Sequence, residues 1–182
     1  ITAGGVFTGK DAVEMMELGA SGVQVATRFT VTEECGMPKK VKQEYFAARE
    51  DQVEVSPVSA TGYLIRLLNN SPALGSNIKP QCEPLGYTLD KTGNCPYIKA
   101  WEATPVDAAG KKLPVNDKIC ICYHFGKYNV WTCGHYVYRL KDTTRVLPDG
   151  SYQLLTAEQV FNDYLYSTNH QIALPPTLAE SA

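Results

Sequence analysis

The 182-residue chain contains no run of about 18 apolar residues, the length a membrane-spanning helix needs. Its first residues also lack the basic-then-apolar layout of a secretory signal, so a soluble, cytoplasmic protein that does not enter a membrane is expected. An excess of one charge is missing too. With 17 Lys and Arg against 19 Asp and Glu, the net charge of -2 gives no field that would favour nucleic acid or an anionic surface. Cysteine is sparse: six residues fall short of the roughly 8–10% of a short chain that a disulfide scaffold requires, and reduced thiols are the default. Internal repeats and low-complexity stretches are absent. What remains is a chain with 44% hydrophobic residues, enough for one sizeable core or a core with a small appendage.

The chain opens at Ile1 into Ile1-Thr2-Ala3-Gly4-Gly5-Val6, an apolar run broken by a glycine pair, and reads as starting within a fold, so an upstream portion is expected. Thr8 and Asp11 have capping-box spacing, Ala12, Met15, Met16 and Leu18 recur at helical intervals, and Gly19 stops the helix. Gly22 to Thr27 is the next strand. Two apolar strands around one amphipathic helix describe a βαβ unit with parallel strands, which places the chain in the α/β class. Helices are expected over 38–50 and around Tyr63 to Asn69, the second from Tyr63, Leu64, Leu67 and Leu68 on one stripe. These features define an expected domain over 1–71.

From 72 to 117, Pro72, Pro80, Pro84, Pro96, Pro105 and Pro114 interrupt every candidate element, and Gly75, Gly86, Gly93 and Gly110 mark turns. An irregular stretch of this length points to a lid or a subunit contact. Lys118 to Phe125 and Asn129 to Leu140 read as a β-hairpin about Gly126-Lys127. Thr156 and Gln159 repeat the capping-box spacing ahead of a last helix carrying Val160, Phe161, Tyr164 and Leu165, and the tail after Asn169 looks extended. The second domain expected is therefore 72–182.

Gly4-Gly5 at the end of the first strand lets the backbone approach an oxyanion closely, and the helix that starts near Thr8 points N–H groups the same way. Ala26-Thr27, one βα unit later, offers another N–H and a hydroxyl. In a barrel of parallel strands, paired loops after consecutive C-terminal strands form a phosphate clamp. An equal reading is that the glycines serve only to turn the chain.

Ile1 to Val6, then Leu18 to Phe29, then Thr32-Glu33-Glu34-Cys35 resemble, in order and spacing, the C-terminal barrel segment of the nitronate monooxygenase family, formerly called 2-nitropropane dioxygenases, which includes flavin-type enoyl-ACP reductases. Ser56-Pro57-Val58 extends the likeness, which is strong over about the first 70 residues. The resemblance implies the C-terminal βαβ part of a TIM-type (β/α)8 barrel, followed by an irregular extension, the hairpin and a final helix. It implies FMN, its phosphate held at Ala3, Gly4, Gly5, Ala26 and Thr27, with Ala26 standing where the family usually has glycine. Gln24 either faces the flavin or fills the barrel. More loosely, Thr132 to Arg139 resembles a segment that some members pass over the flavin, which would set Cys133, Gly134 and His135 on the substrate side; a packed hairpin strand is the alternative.

The resemblance supplies no catalytic base on this chain, because the family's catalytic histidine lies on strands upstream of any residue present. His124, His135 and His170 do not match it, and His170 is read as a solvated tail residue. The activity implied is oxidation of alkyl nitronates by oxygen; the alternatives are an enoyl-ACP reductase with NAD(P)H as reductant, and a non-catalytic assembly subunit. The partners implied are a small-molecule substrate, an upstream barrel half on the same or another chain, and a second copy of the chain. No metal is expected: Cys120 and Cys122 would project to opposite faces of a strand, no cysteine pair has the two-residue spacer of structural zinc or iron–sulfur sites, a cluster of Cys82 and Cys95 with Cys133 is the weaker alternative to buried free thiols, and Cys35 follows two glutamates that disfavour a thiolate.

Overall fold

Thr8 and Asp11 start the first helix reciprocally. The Asp11 N–H donates to Thr8 Oγ1 at 3.2 Å, and the Asp11 carboxylate accepts the Thr8 N–H at 2.7 Å and the Phe7 N–H at 2.9 Å. The computed structural model describes residues 1–82 and 94–166, so Pro84, Gly86, Gly93, His170 and the tail after Asn169 lie outside the described residues. Strand β1 (Thr2–Ala3) leads into α1 (Gly9–Glu17), and Gly19, at φ +97°, turns the chain into β2 (Val23–Gln24). β1 and β2 pair in parallel with Thr2 opposite Val23 and Ala3 opposite Gln24, the βαβ arrangement expected from the helical and strand periodicities.

The described chain divides into two compact units, Ile1–Glu50 together with the chain from Gly134, and Asp51–Cys133. In the first, α2 (Lys39–Phe46) buries Tyr45 and Phe46, and Phe46 stacks on Tyr152 with centroids 5.3 Å apart. Gln43 clamps the Tyr152 backbone from both sides, its amide nitrogen donating at 3.0 Å and its oxygen accepting at 2.6 Å. A 3-10 stretch, His135–Thr143, is kinked at Tyr136. The last helix, Ala157–Tyr166, is capped as expected: Gln159 N–H donates to Thr156 Oγ1 at 3.1 Å, and Thr156 N–H donates to Gln159 Oε1 at 2.9 Å.

In the second unit, β3 (Val53–Ser56) and β4 (Ile65–Leu68) run antiparallel, with Val53 opposite Leu68 and Ser56 opposite Ile65. This corrects the helix expected over Tyr63 to Asn69. Leu67 and Leu68 are both buried, one on each face of β4, so no alternation marks the strand in the sequence. Tyr63 and Leu64 are exposed. Val58, Leu67, Ala73, Ile119, Ile121 and Val130 form one core cluster, and Tyr97, Val115 and Cys120 with Ala60 form another.

The hairpin is also corrected. Residues 121–126 form helix α4 (Ile121–Gly126), after α3 (Pro96–Ala103), whose Pro96 sits in the first turn where its missing N–H costs nothing. α4 buries Ile121, Cys122 and His124, a pattern of a helix rather than an alternating strand. Its C-cap is Lys127, and Tyr128 just beyond takes φ +55°. With the final helix as α5, the described residues hold one parallel and one antiparallel two-stranded sheet among α-helices. The class is mixed α/β, and a closed barrel is not formed among the described residues. None of their helices is long and apolar enough to cross a membrane.

One buried ion pair fixes α5 in the first unit. Arg28 Nη1 donates to Asp163 Oδ2 at 2.5 Å and to the Phe7 carbonyl at 3.3 Å, and both charged side chains are all but fully buried. Breaking such a pair leaves a charge uncompensated in a poor solvent for it. Asp163→Ala is therefore expected to destabilise the chain by about 3–5 kcal/mol in urea unfolding, and Arg28→Met with Asp163→Leu to recover most of the loss. An unchanged midpoint in Asp163→Ala would contradict the role given to the pair.

Candidate functional site

The parallel register brings two turns to the same end of one sheet. Ala3 lies opposite Gln24, so Gly4-Gly5 and Val25-Ala26-Thr27 leave β1 and β2 at the same edge. Gly4 and Gly5 take φ of +86° and +76°, a conformation that costs a side-chain-bearing residue and not glycine. A Cβ built on either would meet nothing within 4 Å, so the space before the turn is open. Among the described residues, the N–H groups of Gly5, Ala26 and Thr27 find no acceptor, while the pairing of Ala3 with Gln24 turns the Gly4 N–H toward the Gln24 carbonyl. Ala26 is not among the positive-φ residues, so alanine in place of glycine leaves its N–H usable.

The N-terminus of α1 carries the expected capping box, and the Phe7 and Thr8 N–H groups just ahead of the helix donate to the Asp11 carboxylate. Burial works to raise the Asp11 pKa, but the Thr8 and Phe7 backbone N–H groups, the Thr8 hydroxyl and the nearby Arg139 together hold it below the usual carboxylate value. The capping spacing of Thr8 and Asp11 was visible in the sequence. That the carboxylate would also take the Phe7 N–H was not.

Thr27 and Gly134, 107 positions apart in the sequence, meet: the Gly134 N–H donates to Thr27 Oγ1 at 2.9 Å. Thr30 Oγ1 in turn donates to the Thr27 carbonyl at 2.7 Å. His135, next along, is exposed and lies against the Tyr136 and Tyr138 rings at 4.9 and 6.2 Å between centroids. Tyr136 meets Phe7 edge to face at 6.5 Å, and the Arg139 guanidinium lies 4.6 Å from the Phe7 centroid. Phe7, Arg28 and Arg139 were not singled out by sequence reasoning, and no local pattern marks them.

Gln24 lines an apolar hollow of about 1080 Å³ with Met16, Val23, Val25, Phe29 and Phe161. Cys133 belongs to the second unit. Its N–H donates to the Arg66 carbonyl at 3.1 Å, alongside the bridge between Leu67 and Thr132, and burial pushes its thiol up to about 11 against the pull of Arg66. A thiol at that value is protonated near neutral pH and is no nucleophile. Cys120 caps α4 and Cys122 lies in its first turn, which replaces the opposite-face strand geometry expected for them. Among the described residues no group of three or more His, Cys, Asp or Glu is placed to hold a metal ion.

His124 lies in the interior of the second unit. Its Nε2 is 2.8 Å from Ser76 Oγ, and Nδ1 has no partner among the described residues. Burial lowers its pKa below the ordinary 6.5. Because the folded value lies below the unfolded one, the stability tied to neutral His124 is complete above 6.5 and is lost as pH falls from there toward the folded value. Thermal midpoints from pH 7.5 to about 5 are expected to drop more steeply in the parent than in His124→Asn. Parallel curves for the two would contradict this.

The sequence model described as nitronate monooxygenase matches residues 1–118, well over half of the chain. A probable nitronate monooxygenase of Staphylococcus haemolyticus (strain JCSC1435) is 39% identical over 70 residues, covering 38% of this chain and 19% of that protein. A (3aS,4S,5R,7aS)-5-hydroxy-7a-methyl-1-oxo-octahydro-1H-indene-4-carboxyl-CoA dehydrogenase of Rhodococcus jostii (strain RHA1) is 38% identical over 56 residues, covering 31% of this chain and 16% of that protein. The matched stretches thus span a fifth or less of the length of these curated relatives.

Proposed function

The chain belongs to the nitronate monooxygenase family, and from that premise we propose that it is the phosphate-holding part of an FMN-dependent oxidoreductase that oxidises alkyl nitronates with oxygen. One observation carries the reading: three unpartnered backbone N–H groups, at Gly5, Ala26 and Thr27, leave the same edge of a parallel strand pair with open space before the glycines. That donor set suits a phosphate monoester, which has only acceptors to offer. When bound, FMN supplies the electron transfer between substrate and oxygen. The chain's own residues bind and orient: Gly4-Gly5 by their positive φ, Ala26-Thr27 by N–H groups and one hydroxyl, and Gln24 from the apolar hollow beside β2.

The group that moves the substrate proton is proposed to come from a partner portion of the barrel, on the same chain or another. In support, the parallel sheet here has two strands, His124 is in a core, and His135 is exposed beside tyrosines. A second reading takes acyl thioesters as substrates, as an enoyl-ACP reductase using NAD(P)H does; the Rhodococcus relative is named as a carboxyl-CoA dehydrogenase.

Oxygen consumption with an alkyl nitronate, set against NADH oxidation with a crotonyl thioester, separates the two. Flavin binding tests the site itself. In a fluorescence titration FMN is expected to bind the parent, and Gly5→Val, which forces a β-branched residue to φ +76°, is expected to weaken binding by about tenfold or more. Equal FMN affinity in parent and variant would overturn the assignment.

A further inference from the structure

We propose that Gly134 is a positioning residue for the anion clamp: its backbone N–H fills one lone pair of Thr27 Oγ1 and so directs the Thr27 hydroxyl proton toward the bound phosphate. The proposal rests on the flavin-phosphate reading above and deepens it. A threonine hydroxyl has one proton to donate and two lone pairs with which to accept. Thr27 Oγ1 accepts from Gly134 at 2.9 Å, and among the described residues its own proton has no acceptor. A hydroxyl held as an acceptor on one side and unused as a donor on the other is set to donate to an incoming oxyanion.

The glycine is required by space and not by backbone conformation. Gly134 has φ -78° and ψ 165°, an extended geometry open to any residue. A Cβ built there would lie 2.6 Å from Thr27 Oγ1 and 3.7 Å from Thr27 Cβ. Carbon and oxygen cannot approach to 2.6 Å, so alanine would force the Thr27 side chain out of place, and its β-branch allows few alternatives. Gly4 and Gly5 show the opposite case, with positive φ and no neighbour a Cβ would touch. The two kinds of glycine therefore do different work: one pair shapes the first turn, and Gly134 leaves room over the second.

The segment that brings Gly134 to Thr27 is itself held. Tyr136 packs edge to face on Phe7, and Arg139 lies over both rings, 4.6 Å from the Phe7 centroid and 5.5 Å from that of Tyr136. Phe7 follows the first turn and Thr27 belongs to the second. Residues 134–139 thus span both strand exits, which makes the N–H of Gly134 a fixed donor in the first unit.

FMN and riboflavin provide the test, since they differ only by the phosphate, and affinities are read by quenching of flavin fluorescence. Thr27→Ala is expected to weaken FMN by about tenfold and leave riboflavin unchanged. Gly134→Ala is expected to do the same, with thermal midpoints confirming the fold. Gly134→Ala in the Thr27→Ala background removes the oxygen it would strike, so it is expected to cost nothing further, and this double variant serves if the single one fails to fold. Equal losses from Gly134→Ala in both backgrounds, or an unchanged ratio of FMN to riboflavin affinity in either single variant, would overturn the proposal while leaving the flavin site intact. A parent that binds neither flavin would overturn both readings.

Discussion

The buried contact between Arg28 and Asp163 is the constraint from which the first unit follows. Arg28 directly succeeds Thr27 at the exit of β2, and its Nη1 also reaches the carbonyl of Phe7 at the exit of β1. One guanidinium thus ties both strand exits to α5. Its Cζ lies 5.7 Å from the Phe7 centroid and 5.1 Å from that of Tyr164, which is the geometry of a cation held by ring faces. A buried arginine cannot shed its proton to escape the interior, so α5 must dock wherever its carboxylate can meet that charge. The position of the last helix is therefore set by a residue of the second strand exit, about 135 positions earlier in the chain.

Local grammar was legible in the sequence, and long-range grammar was not. Both capping pairs, Thr8 with Asp11 and Thr156 with Gln159, form as their spacing implies, because each involves residues three apart whose geometry depends on nothing distant. The βαβ unit and α2 were legible for the same reason. The run from Lys118 to Phe125 was misread because a nearly continuous apolar stretch has no period to distinguish strand from helix. Local hydrogen bonding decides it: the His124 N–H donates to the Cys120 carbonyl at 3.0 Å, and just beyond the helix Tyr128 takes a left-handed conformation for which the residue type gave no warning. β4 failed in the opposite direction, since covering both faces of a strand erases its alternation.

The candidate site shows the same split. Gly4, Gly5, Ala26 and Thr27 were marked by their place after two consecutive strands, and the parallel register brings them to one edge. The contact of Gly134 with Thr27 was beyond reach, because nothing about Cys133-Gly134-His135 states what its backbone will face. Cys133 and Gly134, neighbours in the chain, fall in different units, so a motif read as one stretch is divided by the fold.

The chemistry of the strand exits explains why glycine recurs there. Two arginines adjoin these turns, and both are engaged: Arg28 by Asp163 and the Phe7 carbonyl, Arg139 by the rings of Phe7 and Tyr136 and by the field of Asp11. An anion at the turns meets backbone dipoles and a hydroxyl, while the Asp11 carboxylate already occupies the nearest helix terminus. A cation attracts from any direction, but neutral donors act only at hydrogen-bond distance and alignment. A clamp built from them must be won by placement. That demand falls on residues that let the backbone turn left-handed or come close without obstruction, which is what Gly4, Gly5 and Gly134 provide.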